Sequence, residues 1–276
     1  MEILEILKAV VIGIIQGITE WLPISSTGHM ILADELFQLN VSKEFMEMFL
    51  VVIQFGSILA VVFLYFHKLN PFSPKKTKIE KGETWSLWFK VLVATIPAGV
   101  IGLLFDDVIH DLFYKPVPVA VALIVYGILF IWLENRNKRP KIEKLNDLSY
   151  QTAFFIGIFQ ILALIPGTSR SGSTILGAVF LGASRFVSAE FSFFLAIPVM
   201  LGASGMKLAK YFLIDGGGFG ATEWGIMITG LLVAFLVSVL AIKFLMNFIK
   251  KHDFKPFGYH RIVLGLAVLL YFLVVR

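Results

Sequence analysis

The sequence predicts an all-α integral membrane protein with six transmembrane helices plus two re-entrant helix-loop-helix hairpins, arranged as an inverted-topology repeat. Three observations carry that prediction. The 276 residues are 58% hydrophobic and 16% charged, with a mean hydropathy of +0.85, well outside the range of a soluble domain. Charges crowd into spacers between nearly uncharged stretches such as Phe49 to Phe66, Val117 to Leu133 and Ile226 to Leu245, the pattern of aqueous loops between apolar spans. The two halves of the chain also align with one another, polar breaks included.

In chain order, residues 1–36 come first. Their start, Met1-Glu2-Ile3-Leu4-Glu5, lacks the basic opening and small-residue cleavage site of a secretory signal, so this segment is expected to stay in the mature protein. The stretch is interrupted at Pro23-Ile24-Ser25-Ser26-Thr27-Gly28, leaving each arm short of the ~20 residues a span needs. It therefore reads as a hairpin that enters the membrane and turns back. Spans follow at about 44–66, 85–105 and 117–134. After a basic loop, residues 150–183 repeat the interrupted pattern at Pro166-Gly167-Thr168-Ser169-Arg170-Ser171-Gly172, and spans follow at about 186–212, 224–249 and 257–275. This makes a single membrane domain over 1–276, built of two inverted repeats, about 1–134 and 150–276, joined by a cytoplasmic basic loop.

Loop charge sets the orientation. Lys68, Lys75, Lys76, Lys78 and Lys81 load one loop, Arg136, Lys138, Arg139, Lys141 and Lys144 another, and Lys250, Lys251 and Lys255 a third. All three fall on one side, which the positive-inside rule makes cytoplasmic. Asp106, Asp107, Asp111, Asp215 and Glu223 fall on the other side, with both termini. Lys207 and Lys210 lie near the wrong end, where long side chains can snorkel. The first hairpin thus opens outward and the second inward.

A shift of 144 residues superposes Gly13, Ile14, Gln16, Ser25, Gly28, Ile31 and Leu32 on identical residues, and a two-residue slip then matches Glu44-Phe45, Gly56 and Tyr65-Phe66 with Glu190-Phe191, Gly202 and Tyr211-Phe212. Three spans per half is an odd number, so the repeats must be inverted, and their broken-helix tips can meet near the bilayer centre.

Some chemistry is excluded at once. The chain has no cysteine, so disulfides, thiolate nucleophiles and thiolate metal sites are out. The net charge of +5 is accounted for by membrane orientation, and no nucleic-acid module is present. The polar residues at the breaks are what remains. Gln16 and Glu20, four apart, share a helix face. Ser25, Ser26, Thr27 and His29 follow. The second break offers Ser169, Arg170, Ser171, Ser173 and Thr174, and successive amides of such a loop at a helix start suit phosphate oxygens, with Arg170 able to add a bidentate contact. Ser and Thr in membrane helices commonly serve packing, but Glu20, His29 and Arg170 are ionisable groups at membrane depth, which are paired or functional. A Glu20–Arg170 salt bridge serving structure alone is the competing reading. His67, His110, His252 and His260 read as interfacial, Glu44, Glu47 and Glu190 as helix N-terminal charges, and Ser184-Arg185 as a cap-and-loop joint.

Together, the Gln16-to-Glu20 segment, the Ser25-Ser26-Thr27-Gly28-His29 run and the Pro166-to-Thr174 loop resemble the bacterial undecaprenyl-diphosphatase family linked to bacitracin resistance, over essentially the whole chain. The resemblance implies removal of the terminal phosphate from undecaprenyl diphosphate, recycling the carrier lipid for cell-wall synthesis. It also places Glu20, Ser26, His29, Ser169, Arg170 and Thr174 at the family's functional positions. Gln16 stands where that family carries Glu or Gln, which leaves one carboxylate in the pair. In this reading Ser26 attacks with His29 as base or acid, or His29 attacks directly, while Arg170 and the loop amides hold phosphate. Gln16, Ser25, Thr27, Ser171 and Ser173 complete the substrate-binding set. Glu20 orients His29 or binds a divalent cation, Mg2+ or Ca2+. The expected partners are a lipid diphosphate, membrane lipids and a second copy of the chain as a homodimer. Two alternatives stand beside it: a transporter or flippase of a lipid-linked or anionic substrate, and a histidine-nucleophile acid phosphatase, which wants a second His soon after its Ser-Arg, whereas none follows Arg170 before His252.

Overall fold

The computed structural model describes residues 2–136, 138–214 and 218–275. Asp215 and the side chains of Asp106, Asp107 and His110 lie outside the described residues. The chain is helical almost throughout, and among the described residues six helices are long and apolar enough to cross a membrane. The protein is a multi-pass membrane protein.

The first interrupted region is α1 (Glu2–Thr19) followed by α2 (Ser26–Leu36). The spans of the first half are α3 (Lys43–Leu64), α5 (Lys78–Phe113) and α6 (Pro116–Asn135), with a single turn, α4 (Phe66–Leu69), after α3. The second half repeats the order as α7 (Tyr150–Ile161), α8 (Arg170–Phe180), α9 (Arg185–Ala209), α10 (Ala221–Phe248) and α11 (Lys255–Leu270). The main departure from expectation is α5, which runs well past the expected 85–105 at both ends. At its start, Thr77 and Glu80 form a capping box in which Thr77 N donates to Glu80 Oε2 at 2.7 Å and Glu80 N donates to Thr77 Oγ1 at 3.3 Å. At its end, nothing breaks the helix before Pro116, so Asp106, Asp107 and Asp111 extend it rather than forming a loop.

Packing follows the repeat. α1 lies along α10 as α7 lies along α5, while α3 and α9 pack on each other and α6 packs on α11. The first arm of each half therefore rests on the other half. Small residues allow these approaches: a Cβ on Gly127 would come within 2.7 Å of Gly258 O, and one on Gly258 within 2.8 Å of Gly127 O. On α10 the stripe Trp224, Ile228, Leu232, Leu236, Leu240 and Phe244 is more than half exposed. Side chains four apart form one helix face, and lipid is the medium that covers it.

Polar groups fasten the end of α6, the start of α9 and the turn before α11. Arg185 donates from Nε and Nη2 to the two carboxylate oxygens of Glu134, at 2.9 and 2.5 Å, and Phe254 N donates to Glu134 Oε1 at 3.0 Å. Ser184 caps α9, as expected, but its neighbour Arg185 thus ties α6 to α9. Glu190, read as a helix N-terminal charge, is buried and accepts from Lys68 Nζ at 2.8 Å. Burial explains that difference, because an unpaired carboxylate there would be costly.

Candidate active site

The two breaks have the same local geometry. Ser25 and Ser169 are the non-glycine residues with positive φ among those described, at 72° and 71°. Each caps the helix that follows: Gly28 N donates to Ser25 Oγ at 3.5 Å and Gly172 N to Ser169 Oγ at 3.1 Å. A left-handed serine is strained, and the cap bond is what each side chain gains by it. Gly167, with φ 95°, cannot be replaced there, since a Cβ would come within 2.5 Å of Val119 O. Both helix starts consequently point amide N–H groups and the positive end of a dipole at the same region.

The breaks touch. Arg170 Nη2 donates to Glu20 Oε1 at 2.9 Å, and Ser171 Oγ donates to Glu20 O at 2.9 Å. Gln16 Nε2 donates to the other carboxylate oxygen, Glu20 Oε2, at 3.0 Å. Arg170 Nη1 donates to Ser192 O at 2.8 Å, and Trp21 lies under the guanidinium with 5.6 Å between its ring centroid and Cζ. Arg170 Nε is buried without a partner among the described residues. Thr174 Oγ1 donates to Arg170 O at 2.9 Å and is 2.6 Å from Ser192 Oγ, so the α8 start is braced on α9. Ser169 Oγ and Ser171 Oγ are 3.1 Å apart, and Ser173 Oγ donates to Tyr126 OH at 3.2 Å.

Glu20 accepts from Arg170 on one oxygen and from Gln16 on the other and makes no hydrogen bond to His29. Each oxygen keeps a further lone pair, and no group of three His, Cys, Asp or Glu that could hold a metal ion occurs among the described residues. Nor is His29 hydrogen-bonded to Ser26. His29 Nδ1 donates to Ser25 O at 2.7 Å, and its Nε2 lies 3.0 Å from Nε2 of His260. Ser26 and Thr27 open α2 half-buried, their hydroxyls without a hydrogen-bond partner among the described residues. Arg170 in turn is held by protein groups on both Nη atoms, so it presents no free fork, and its Nε–H is buried.

Three residues that sequence reasoning did not assign to the site belong to this cluster. His260 sits against His29 rather than at an interface. Ser192 supports Arg170 and Thr174. Arg261, with no accessible surface, donates from Nη1 to Pro23 O at 3.2 Å and from Nη2 to Gly167 O and Thr168 O, both at 2.8 Å. It has no carboxylate partner among the described residues, and Tyr126 lies over it at 5.3 Å. One cation thus grips both breaks. The only sequence signal for it was an arginine six residues into an apolar helix, which the charge rules for spans should have flagged.

Chemically, the two joined breaks carry two guanidinium groups, two helix N-termini, unpartnered hydroxyls and a pair of imidazoles. Such groups have the chemistry to receive an anion with phosphate-like oxygens and to move a proton.

The family model described as "Bacitracin resistance protein BacA" matches residues 9–267. The chain is 62% identical to "Undecaprenyl-diphosphatase 1" of Clostridioides difficile over 271 residues, covering 98% of this chain and 97% of that protein. It is 62% identical to "Undecaprenyl-diphosphatase" of Enterococcus faecalis over 268 residues, 96% and 97% of the two chains. It is 60% identical to the protein of the same name from Acetivibrio thermocellus over 275 residues, 99% and 100%.

Proposed function

The chain belongs to the bacitracin resistance protein family, and from that membership we propose that it hydrolyses undecaprenyl diphosphate to undecaprenyl phosphate and inorganic phosphate. This returns the carrier lipid to peptidoglycan synthesis and confers resistance to bacitracin. The observation that carries the reading is the junction of the two breaks by Glu20 and Arg170, across 150 residues of chain, in a protein at least 60% identical to several named diphosphatases.

The reaction needs alignment and charge neutralisation more than covalent skill. Arg170 Nε–H and the first amides of α8 receive the terminal phosphate, while Arg261, held beneath both breaks, adds positive field without giving up its carbonyl bonds. Ser26 Oγ attacks the terminal phosphorus and the lipid monophosphate leaves, giving a phosphoserine that water then hydrolyses. His29, once its Nε2 is turned from His260, takes the serine proton and later delivers one. The alternative assignment has His29 Nε2 attack, with Ser26 as a positioning hydroxyl. Glu20 positions Arg170. A Mg2+ or Ca2+ ion enters only as a companion of the substrate's own phosphate oxygens, and no step depends on it.

The same proposal includes the arrangement in the membrane: the bacterial cytoplasmic membrane, two inverted repeats with re-entrant hairpins, and a site opening to the outer side. Purified protein in detergent, given undecaprenyl diphosphate with and without a chelator, tests the activity. Phosphate release supports the proposal; absence of release, with movement of the intact lipid across vesicles, would replace it with transport.

A further inference from the structure

The pair His29–His260 carries more than the proposed reaction assigns to it. The Nε2 atoms are 3.0 Å apart, the ring centroids 5.2 Å apart, and the ring planes within 9° of each other. The centroid separation exceeds the nitrogen separation by about two imidazole radii, so both nitrogens lie on the line joining the rings. The rings meet head-on in one plane. Lone pairs aimed directly at each other across this distance leave no room for a metal ion, whose ligand nitrogens would converge at an angle and at ~2 Å from it. They do fit one shared proton.

The tautomers follow. Ser25 O can only accept, so His29 Nδ1 carries hydrogen. In a neutral ring that makes His29 Nε2 the acceptor, and His260 Nε2 must donate to it. His260 Nδ1 is then left with a lone pair, on an exposed residue. The charged and titratable groups facing His29 are His260 and Arg261, both from α11. On α6, Tyr126 is engaged by Ser173 and lies over Arg261, and Glu20, beyond α1, is spent on Arg170 and Gln16.

We propose that His260 is a positioning residue that relays protons to and from His29. A proton from the exposed side enters at His260 Nδ1, the Nε2–H bond of His260 breaks, and that proton forms a bond to His29 Nε2. The result is a His29 imidazolium and a neutral His260 whose Nε2 now accepts. The reverse sequence returns the proton to solvent. Between the transfers at Ser26, for which Nε2 turns away, the ring rests against His260 with Nδ1 held by Ser25 O and recovers its protonation state there. This rests on the proposed diphosphatase reading.

The test compares wild type, His260→Gln and His260→Ala in phosphate release from undecaprenyl diphosphate across pH, with added imidazole. The amide of Gln can donate to His29 but cannot pass a proton. The expected results are a KM within threefold of wild type in both variants, a kcat reduced about 10-fold or more, and a pH–kcat profile changed in shape. Imidazole should restore kcat of His260→Ala saturably. A wild-type kcat and profile in His260→Gln would overturn the inference, and so would a loss that imidazole cannot restore in a variant whose thermal stability has also fallen. If wild type itself releases no phosphate, the diphosphatase reading fails instead, which keeps the two failures apart.

Discussion

Removing Arg170 and Glu20 singly and together separates their structural service from their chemical one. Their side chains are 12% and 6% exposed and joined at 2.9 Å. Arg170→Met leaves Glu20 charged in an apolar setting, and breaking a buried pair in this way costs ~3–5 kcal/mol. Gln16 still donates to Glu20, so the lower end, about 3 kcal/mol, is expected. Glu20→Gln removes one charge-assisted hydrogen bond while Ser192 O retains Arg170, a cost of ~1.5–3 kcal/mol. The double variant buries no uncompensated charge and should be more stable than the sum of the singles by ~2 kcal/mol. Read as apparent melting temperature in detergent, Arg170→Met should fall by ~6–12 °C, with the double variant recovering roughly two-fifths of the combined loss. Phosphate release should stay near background in all three. Recovery of activity in the double variant would refute a role in phosphate binding and leave a purely structural bridge. Strictly additive stabilities would refute the coupling itself.

Three further outcomes are expected. Quenching the reaction with terminally labelled diphosphate should trap an acid-stable phosphoserine that is lost in Ser26→Ala; an acid-labile adduct lost in His29→Ala would assign the attack to His29 instead. Gly127→Ala, which would press a methyl group to 2.7 Å from Gly258 O, should lower the melting temperature by several degrees through overpacking of ~1–3 kcal/mol, while Gly99→Ala, with open space around it, should change little; equal effects would refute the packing of α6 on α11. Single cysteines at Tyr114 and Gly218 should react with an impermeant reagent applied to intact cells and those at Lys76 and Lys141 should not, the reverse pattern sinking the proposed orientation.

The helices were legible because lipid imposes one rule on every span, and a run of ~20 apolar residues between Lys-rich spacers satisfies it with no knowledge of neighbours. The breaks were legible for a related reason: Ser25 and Gly28 recur as Ser169 and Gly172, and the structure gives both serines the same positive φ and the same cap. The pairing of Glu20 with Arg170 could be anticipated as a burial argument, since each charge at depth needs a partner. The ends of α5 were missed because charged residues such as Lys78 and Asp111 were taken as loop, whereas helix continuation is decided by caps and breakers. What stayed hidden are the long-range assignments. His260 and Arg261 act on residues more than 230 positions earlier, and no local spacing encodes that. The Ser26–His29 contact expected from proximity along a turn is not made in this structure, where Ser25 O and His260 hold the two ring nitrogens.

Arg261 gives the protein an order of assembly. Its hydrogen bond to Pro23 O closes a separation of 238 residues, and α1 has its main packing surface on α10, near the other end of the chain. During synthesis at ~5–20 residues per second, the first break therefore waits on the order of ten seconds or more in the membrane before its anchor is made. A chain interrupted between α8 and α11 carries Ser26, His29 and Arg170, yet not Arg261, the cation that bonds to carbonyls of both breaks. The last helix to insert is thus the one that completes the site: until it arrives the two breaks rely on the Glu20–Arg170 and Ser171–Glu20 O contacts to hold them in register.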